Sequence, residues 1–274
     1  MSSDLHWSIY TTFSKKRAFG FTVQDVWREY EGRNQEHISK ILVQMSKKGM
    51  LSRLSSGIYH IIPSLEDPAT YTPTHLQVAK YFMLGKPYYI GYVSALEFHG
   101  LSVPSSDCTM VVADKQYNSP LRRFGGSTCR IITHSATRFF GFASYWINSE
   151  EQVMVSDLEK AVVDSATHLE LSGGIIGLGA VMCQVIKRID QDRLSHYFTR
   201  NQSYSAKKRF LYLSKLLGLK WNPEFERMYE ELGTSITLLD PTSPDQGIVQ
   251  LKFGLKINVD PVQIRKKIML QINA

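Results

Sequence analysis

Apolar residues recur at helical steps through the first quarter of the chain. Leu5, Ile9 and Phe13 stand four apart and predict a first helix over 4–16. Ala18-Phe19-Gly20 interrupts it. Thr22 then precedes Val23-Gln24-Asp25, an N-cap arrangement with an acid in the first turn. A second helix follows to about Tyr30, with Val23, Val26, Trp27 and Tyr30 on one face. Glu31-Gly32-Arg33 is a turn, and Asn34 caps a third helix, in which Ile38, Ile41, Leu42 and Met45 keep the i, i+3, i+4, i+7 pattern. Gly49 suits its C-cap. Residues 51–54 and 58–62 then read as two strands about Ser55-Ser56-Gly57, where glycine can take a positive φ.

Three helices and a hairpin within residues 1–63 predict a winged helix-turn-helix. No helix can bury one face alone. Three packed helices make a small core and the hairpin closes it, leaving the third helix an outer face for the DNA major groove, which admits one α-helix.

Residues 64–73 ("SLEDPATYTP") are rich in proline and acid and read as a linker. The pattern changes in residues 74–274. Helices are expected over 74–84 and 88–101, the latter ended by Gly100 and Pro104. Residues 109–113 and 128–133 are β-like, around a basic loop with Arg122 and Arg123. Residues 145–147 and 152–155 continue that style. Helical periodicity returns at 157–168 through Leu158, Ala161, Val162 and Ala166, and helices dominate 175–233. Residues 248–259 alternate as a strand, and 261–271 suit a short helix. The expected class is α+β, with an N-terminal winged helix-turn-helix followed by a larger mixed α/β C-terminal domain.

Composition narrows the function classes. The 274 residues are 43% hydrophobic and 21% charged, as in an ordinary globular protein. Three distant cysteines, Cys108, Cys129 and Cys183, without any CxxC suggest neither a zinc ribbon nor a disulfide framework, which favours a reducing, cytoplasmic setting. The N-terminus lacks a signal-peptide layout. The most apolar stretch, 173–186, falls short of a membrane span. The net charge of +7 invites a polyanionic partner. Residues 1–65 carry nine Lys/Arg against five Asp/Glu, so more than half of the excess lies in the first quarter.

The DNA-reading candidates follow from that pattern. Asn34, Gln35, Ser39, Lys40 and Gln44 lie at the start of the third helix or opposite its apolar stripe, and Gln, Lys and Ser can all bond base edges. Lys47, Lys48 and Arg53 are placed for phosphates, and Ser55 and Ser56 for the hairpin tip. A merely solvated helix face would carry the same Lys and Gln. Other chemistry is weaker. Asp157, Glu159 and Lys160 resemble parts of a metal-dependent nuclease, but Glu and Lys are adjacent on a helical segment and point about 100° apart. Asp157 fits better as a helix start. His60, His75, His99, His134, His168 and His196 are scattered without metal-ligand spacing. Gly173-Gly174 and Gly177-x-Gly179 lack a phosphate loop's Lys-Ser/Thr and suit helix packing. Asp164 and Ser165 lack a nucleophile elbow. No metal, cofactor or enzymatic activity is expected.

The N-terminal pattern "FTVQDVW…ISKILVQMSKKGMLSRLSSGIYHI" resembles the winged helix-turn-helix of the AbiEi-type antitoxins of type IV toxin–antitoxin, abortive-infection systems. Three later segments are similar to the same family in the same order: "YYIGYVSALEFHGL", "VMVSDLEKAVVDSATH", and "KKRFLYLSKLLGL" followed by "LDPTSPDQGIVQLKFGLKINV". Ser156-Asp157-Leu158 departs from the family's proline before the acid, and Phe253 replaces a tryptophan. The resemblance spans about residues 20–260. It implies a promoter-binding autorepressor that recognises inverted repeats in double-stranded DNA and counters a nucleotidyltransferase-like toxin, with or without a stable complex. A ligand-responsive winged-helix regulator and a winged-helix-targeted nuclease are the alternatives.

Overall fold

The computed structural model describes residues 2–102, 106–124 and 126–272. It is a mixed α+β fold with three sheets among these residues.

The first quarter runs α1 (Ser2–Lys15), β1 (Gly20–Thr22), α2 (Val23–Glu29), α3 (Gln35–Lys47), β2 (Leu51–Ser55) and β3 (Ile58–Ile61). Local chemistry sets these boundaries. Thr22 and Asp25 form a reciprocal capping box at α2, and the Asn34 side chain accepts from the His37 N–H at α3. Gly49 follows α3 at φ +72°, the left-handed residue that lets the chain turn into β2. Leu5, Ile9, Phe13, Val26, Ile38, Ile41, Leu42 and Met45 share one core with Phe21, Leu51, Tyr59 and Ile61.

Strand β1 is a departure from expectation. Ala18-Phe19-Gly20 is expected only to break the first helix and Thr22 to cap the second, yet Gly20–Thr22 pairs antiparallel with β3, giving a three-stranded sheet in the order β1-β3-β2. Three residues are too short to show a period. The hairpin register shifts between Arg53 and Ser55, so Leu54 sits at a bulge. Leu51 and Ile61 face the N-terminal core, whereas Leu54 joins the larger core that follows.

The larger part contains α4 (His75–Phe82), β4 (Tyr88–Ile90), α5 (Tyr92–Phe98), β5 (Cys108–Ala113), β6 (Leu121–Phe124), β7 (Ser127–Thr133), β8 (Phe142–Trp146), β9 (Gln152–Ser156), α6 (Leu158–Thr167), α7 (Gly174–Val185), α8 (Gln191–Asn201), α9 (Tyr204–Leu217) and α10 (Glu224–Glu230). It closes with β10 (Thr237–Leu238), β11 (Ile248–Gln250), β12 (Leu255–Ile257) and α11 (Pro261–Ile272). A six-stranded sheet runs β6-β7-β5-β4-β9-β8, and a small one runs β10-β12-β11.

Three expectations are corrected here. The single helix expected over 88–101 is strand β4 and helix α5, joined at Gly91; the continuous apolar run does not distinguish a buried strand from a buried helix. Pro104, expected to end it, lies outside the described residues. The basic loop with Arg122 and Arg123 is strand β6, paired with β7. The single strand expected over 248–259 is broken by a 3-10 turn at Leu251–Phe253 and by Gly254 at φ +59°, so it folds back on itself as β11 and β12.

The glycines of α7 serve packing. A Cβ on Gly179 would meet Ile268 Cδ1 of α11 at 2.3 Å. A side chain at this position would have to push the end of Ile268 aside.

Candidate nucleic-acid interface

Helix α3 divides into two faces. Ile38, Ile41, Leu42 and Met45 are buried. Gln35, Glu36, Lys40, Val43, Gln44 and Lys47 are exposed and Ser39 half-exposed. At 100° per residue, Glu36, Lys40, Val43 and Lys47 form the outermost ridge, flanked by Ser39 and Gln44.

Some polar side chains of this face already have local partners. Lys40 Nζ lies 2.7 Å from Glu36, one turn earlier. Such an exposed pair contributes little to stability, so Lys40 can exchange its partner cheaply. Ser39 Oγ donates to the Gln35 carbonyl at 2.9 Å, which leaves the hydroxyl's acceptor lone pairs available. Asn34 is committed to the cap. Its role is to fix where α3 begins, and the helix N-terminus carries the positive end of the dipole beside Gln35.

The basic candidates do not share one direction. Lys47 is exposed at the end of the ridge. Lys48 turns toward α1, where its Nζ is 3.4 Å from His6 Nδ1. Arg53 is exposed on β2, and its Nε donates to the Ser55 carbonyl at 3.4 Å. Ser56 is exposed at the turn and Ser55 half-exposed. The turn is held down, because the Val23 N–H donates to the Gly57 carbonyl at 2.9 Å. Gly57 takes φ +74° there. The start of α2 therefore fixes the tip of the hairpin.

The other face of the hairpin meets the larger sheet. His60 is buried on β3 and stacks on Tyr71, whose hydroxyl lies 3.3 Å from His60 Nδ1. Tyr81 of α4 lies over Gly20, where a Cβ would meet its ring at 2.0 Å. Glu151, buried just before β9, accepts from the Tyr81 hydroxyl and the Gln77 side chain, and Lys80 lies 3.2 Å away. Burial by itself would raise the Glu151 carboxyl; those hydrogen bonds, the facing His60 and the Lys80 charge reverse this and hold it at about 2. The segment read as a linker takes part as well. Pro68 packs against Gly49, and Asp67 accepts from the Ala69 N–H in a tight turn. Sequence reading missed this seam, since His60, Tyr81 and Glu151 are far apart in the chain and none carries a motif.

The residues considered for other chemistry are tied into structure. Asp157 caps α6 by accepting from the Lys160 N–H at 2.8 Å, as expected of a helix start. Glu159 binds Arg193 and the Asp190 N–H, while Lys160 is buried against Asp164. Ser165 donates to the Ala161 carbonyl within its own helix. His134 bonds the hydroxyls of Tyr89 (3.0 Å) and Tyr92 (2.7 Å). Burial lowers the His134 pKa to about 4, outweighing the pull of the Asp164 carboxylate. Among the described residues no group of three His, Cys, Asp or Glu is placed to hold a metal ion, and no helix is long and apolar enough to cross a membrane.

No family model and no curated protein matches the chain. The fold is similar to that of the RV2827C protein from Mycobacterium tuberculosis, a crystal structure with a TM-score of 0.66 over 95% of this chain and 93% of that one. The two are 14% identical, so the likeness concerns the fold alone.

Proposed function

We propose that residues 1–63 are a winged helix-turn-helix that binds double-stranded DNA, with α3 in the major groove and the β2–β3 turn beside it. The observation that carries this reading is the division of α3. Its apolar residues fill the core, and its outer face carries Gln35, Ser39, Lys40, Gln44 and Lys47 exposed or half-exposed. Gln, Ser and Lys are side chains that bond base edges, and Lys47 and Arg53 are placed at the margin where phosphates would lie. The excess positive charge of the first quarter supports it.

The wider role rests on the family resemblance. The protein is an antitoxin that represses its own promoter through inverted repeats and counters a nucleotidyltransferase-like toxin. Residues 74–274 supply the second activity. In this reading the seam at Glu151 keeps the DNA-binding unit in a fixed pose on the rest of the chain.

Two experiments test the proposal. Fluorescence anisotropy of the full chain with the DNA upstream of its own gene is expected to give saturable, salt-sensitive binding that competitor DNA of unrelated sequence does not abolish. Co-expression with the neighbouring gene is expected to relieve a toxicity that this gene causes alone. A neighbour of unrelated fold, or toxicity that persists, removes the antitoxin role while leaving DNA binding to be judged by the first experiment.

A further inference from the structure

A cavity of about 680 Å³ opens between α9, α10 and the 3-10 turn before β12, on a part of the chain that the DNA-binding reading does not use. Its wall is aromatic on several sides: Trp221, Phe225, Tyr229 and Phe253 line it. Phe225 lies 5.3 Å from Trp221, and Phe253 lies 5.4 Å from Tyr229, edge to face. The volume is in the range of small-molecule sites, and the wall combines apolar surface with a few polar groups, as such sites do.

Charge is arranged around the same opening. Lys215, Lys220 and Lys252 line it and are exposed. Lys252 Nζ is 5.5 Å from the Tyr229 ring and Lys215 Nζ is 6.0 Å from the Phe253 ring. Among the described residues none of these three lysines has an ion pair with a carboxylate. Glu226 and Glu230 line the α10 side, so cations exceed acids three to two and belong to the opposite elements.

The wall is held in place from behind. Trp221 Nε1, Asn222 Oδ1 and the Tyr229 hydroxyl are fully buried, so these three residues meet the cavity with their other atoms. Asn222 is fixed, since its N–H donates to Gln191 (2.7 Å) and its side-chain amide to Asp192 (2.5 Å).

We propose that this cavity binds a nucleoside phosphate. A planar base supplies the surface that stacks on the half-exposed Trp221 and Tyr229 rings. The phosphates lie on the Lys215 and Lys252 side, away from Glu226 and Glu230. The 3' or 5' end of a single-stranded RNA offers the same base and phosphate chemistry, and the test separates it from the free nucleotide. The proposal is independent of the DNA-binding reading, because no residue of the first quarter lines the cavity.

The test is calorimetric titration of the full chain with ATP, GTP, CTP and UTP in turn, and with a short single-stranded RNA. Saturable binding of at least one nucleotide is expected. Lys215→Ala with Lys252→Ala is expected to weaken it by about tenfold or more, the loss of roughly one charge-assisted contact. Trp221→Ala removes the stacking ring and is expected to weaken binding by about fivefold or more. Thermal unfolding of each variant checks that the fold survives; because both lysines are exposed, the double variant is expected to melt like the parent. Absence of saturable nucleotide binding overturns the proposal. So does binding that the lysine variant leaves unchanged, or RNA binding with this lysine dependence when no nucleotide binds.

Discussion

Glu151 faces His60 across the seam between the hairpin and the larger sheet, with Nε2 and Oε2 4.0 Å apart. Both side chains are buried. The carboxylate draws its hydrogen bonds from Tyr81 and Gln77, so the hairpin is docked on a charged group that is satisfied from the other side. Glu151→Ala leaves these donors buried without an acceptor. A loss of roughly 2–4 kcal/mol is expected from urea unfolding. Glu151→Gln keeps the shape and one acceptor, and is expected to lose less.

Acid should act at the same seam. The folded Glu151 carboxyl sits at about 2 against an ordinary 4.5, so the unfolded chain takes up this proton first. Its contribution is complete above about 4.5 and is lost as pH falls toward 2. His134 adds an earlier loss. Its ring is folded in the neutral form, with a pKa near 4 instead of 6.5, so stability is complete above about 6.5 and declines toward 4. A melting temperature that falls between pH 6.5 and 4, and falls less in a His134→Gln variant, is the expected outcome.

Gly20 lies beneath the Tyr81 ring, 2.0 Å from where a Cβ would stand. Gly20→Ala therefore forces Tyr81 off its site and loosens its bond to Glu151. A destabilisation of about 1–3 kcal/mol is expected, measurable by thermal or urea unfolding. A neutral substitution would show that the seam yields freely.

On α3, Glu36 is the one acid of the outer ridge and is paired with Lys40. Glu36→Gln removes charge repulsion from a phosphate backbone and frees Lys40. Tighter DNA binding at low salt is expected in an anisotropy titration, with little change in stability.

The legible part of this fold is its helices and their caps. Thr22, Asn34 and Asp157 all accept from the first turn of the helices they start, and the i, i+3, i+4 apolar positions of α3 are the buried ones. Short strands were not legible. Gly20–Thr22 becomes a strand only because β3 lies beside it, and Tyr88–Ile90 only because β5 and β9 flank it. The candidate interface divides in the same way. Exposure of Gln35, Lys40 and Lys47 follows from helical period alone. The turn of Lys48 toward His6, the anchoring of the hairpin tip by Val23 and the seam at Glu151 depend on contacts between distant segments, which no local pattern encodes.

DNA binding by α3 and the hairpin is tested most directly by the salt dependence of binding between the full chain and its own upstream DNA, for the parent and for Lys40→Ala with Arg53→Ala. A weaker complex is expected, with the log–log slope reduced by about one unit for each phosphate contact removed. Identical titrations for parent and variant across the salt series, or no binding by the parent, would contradict the claim.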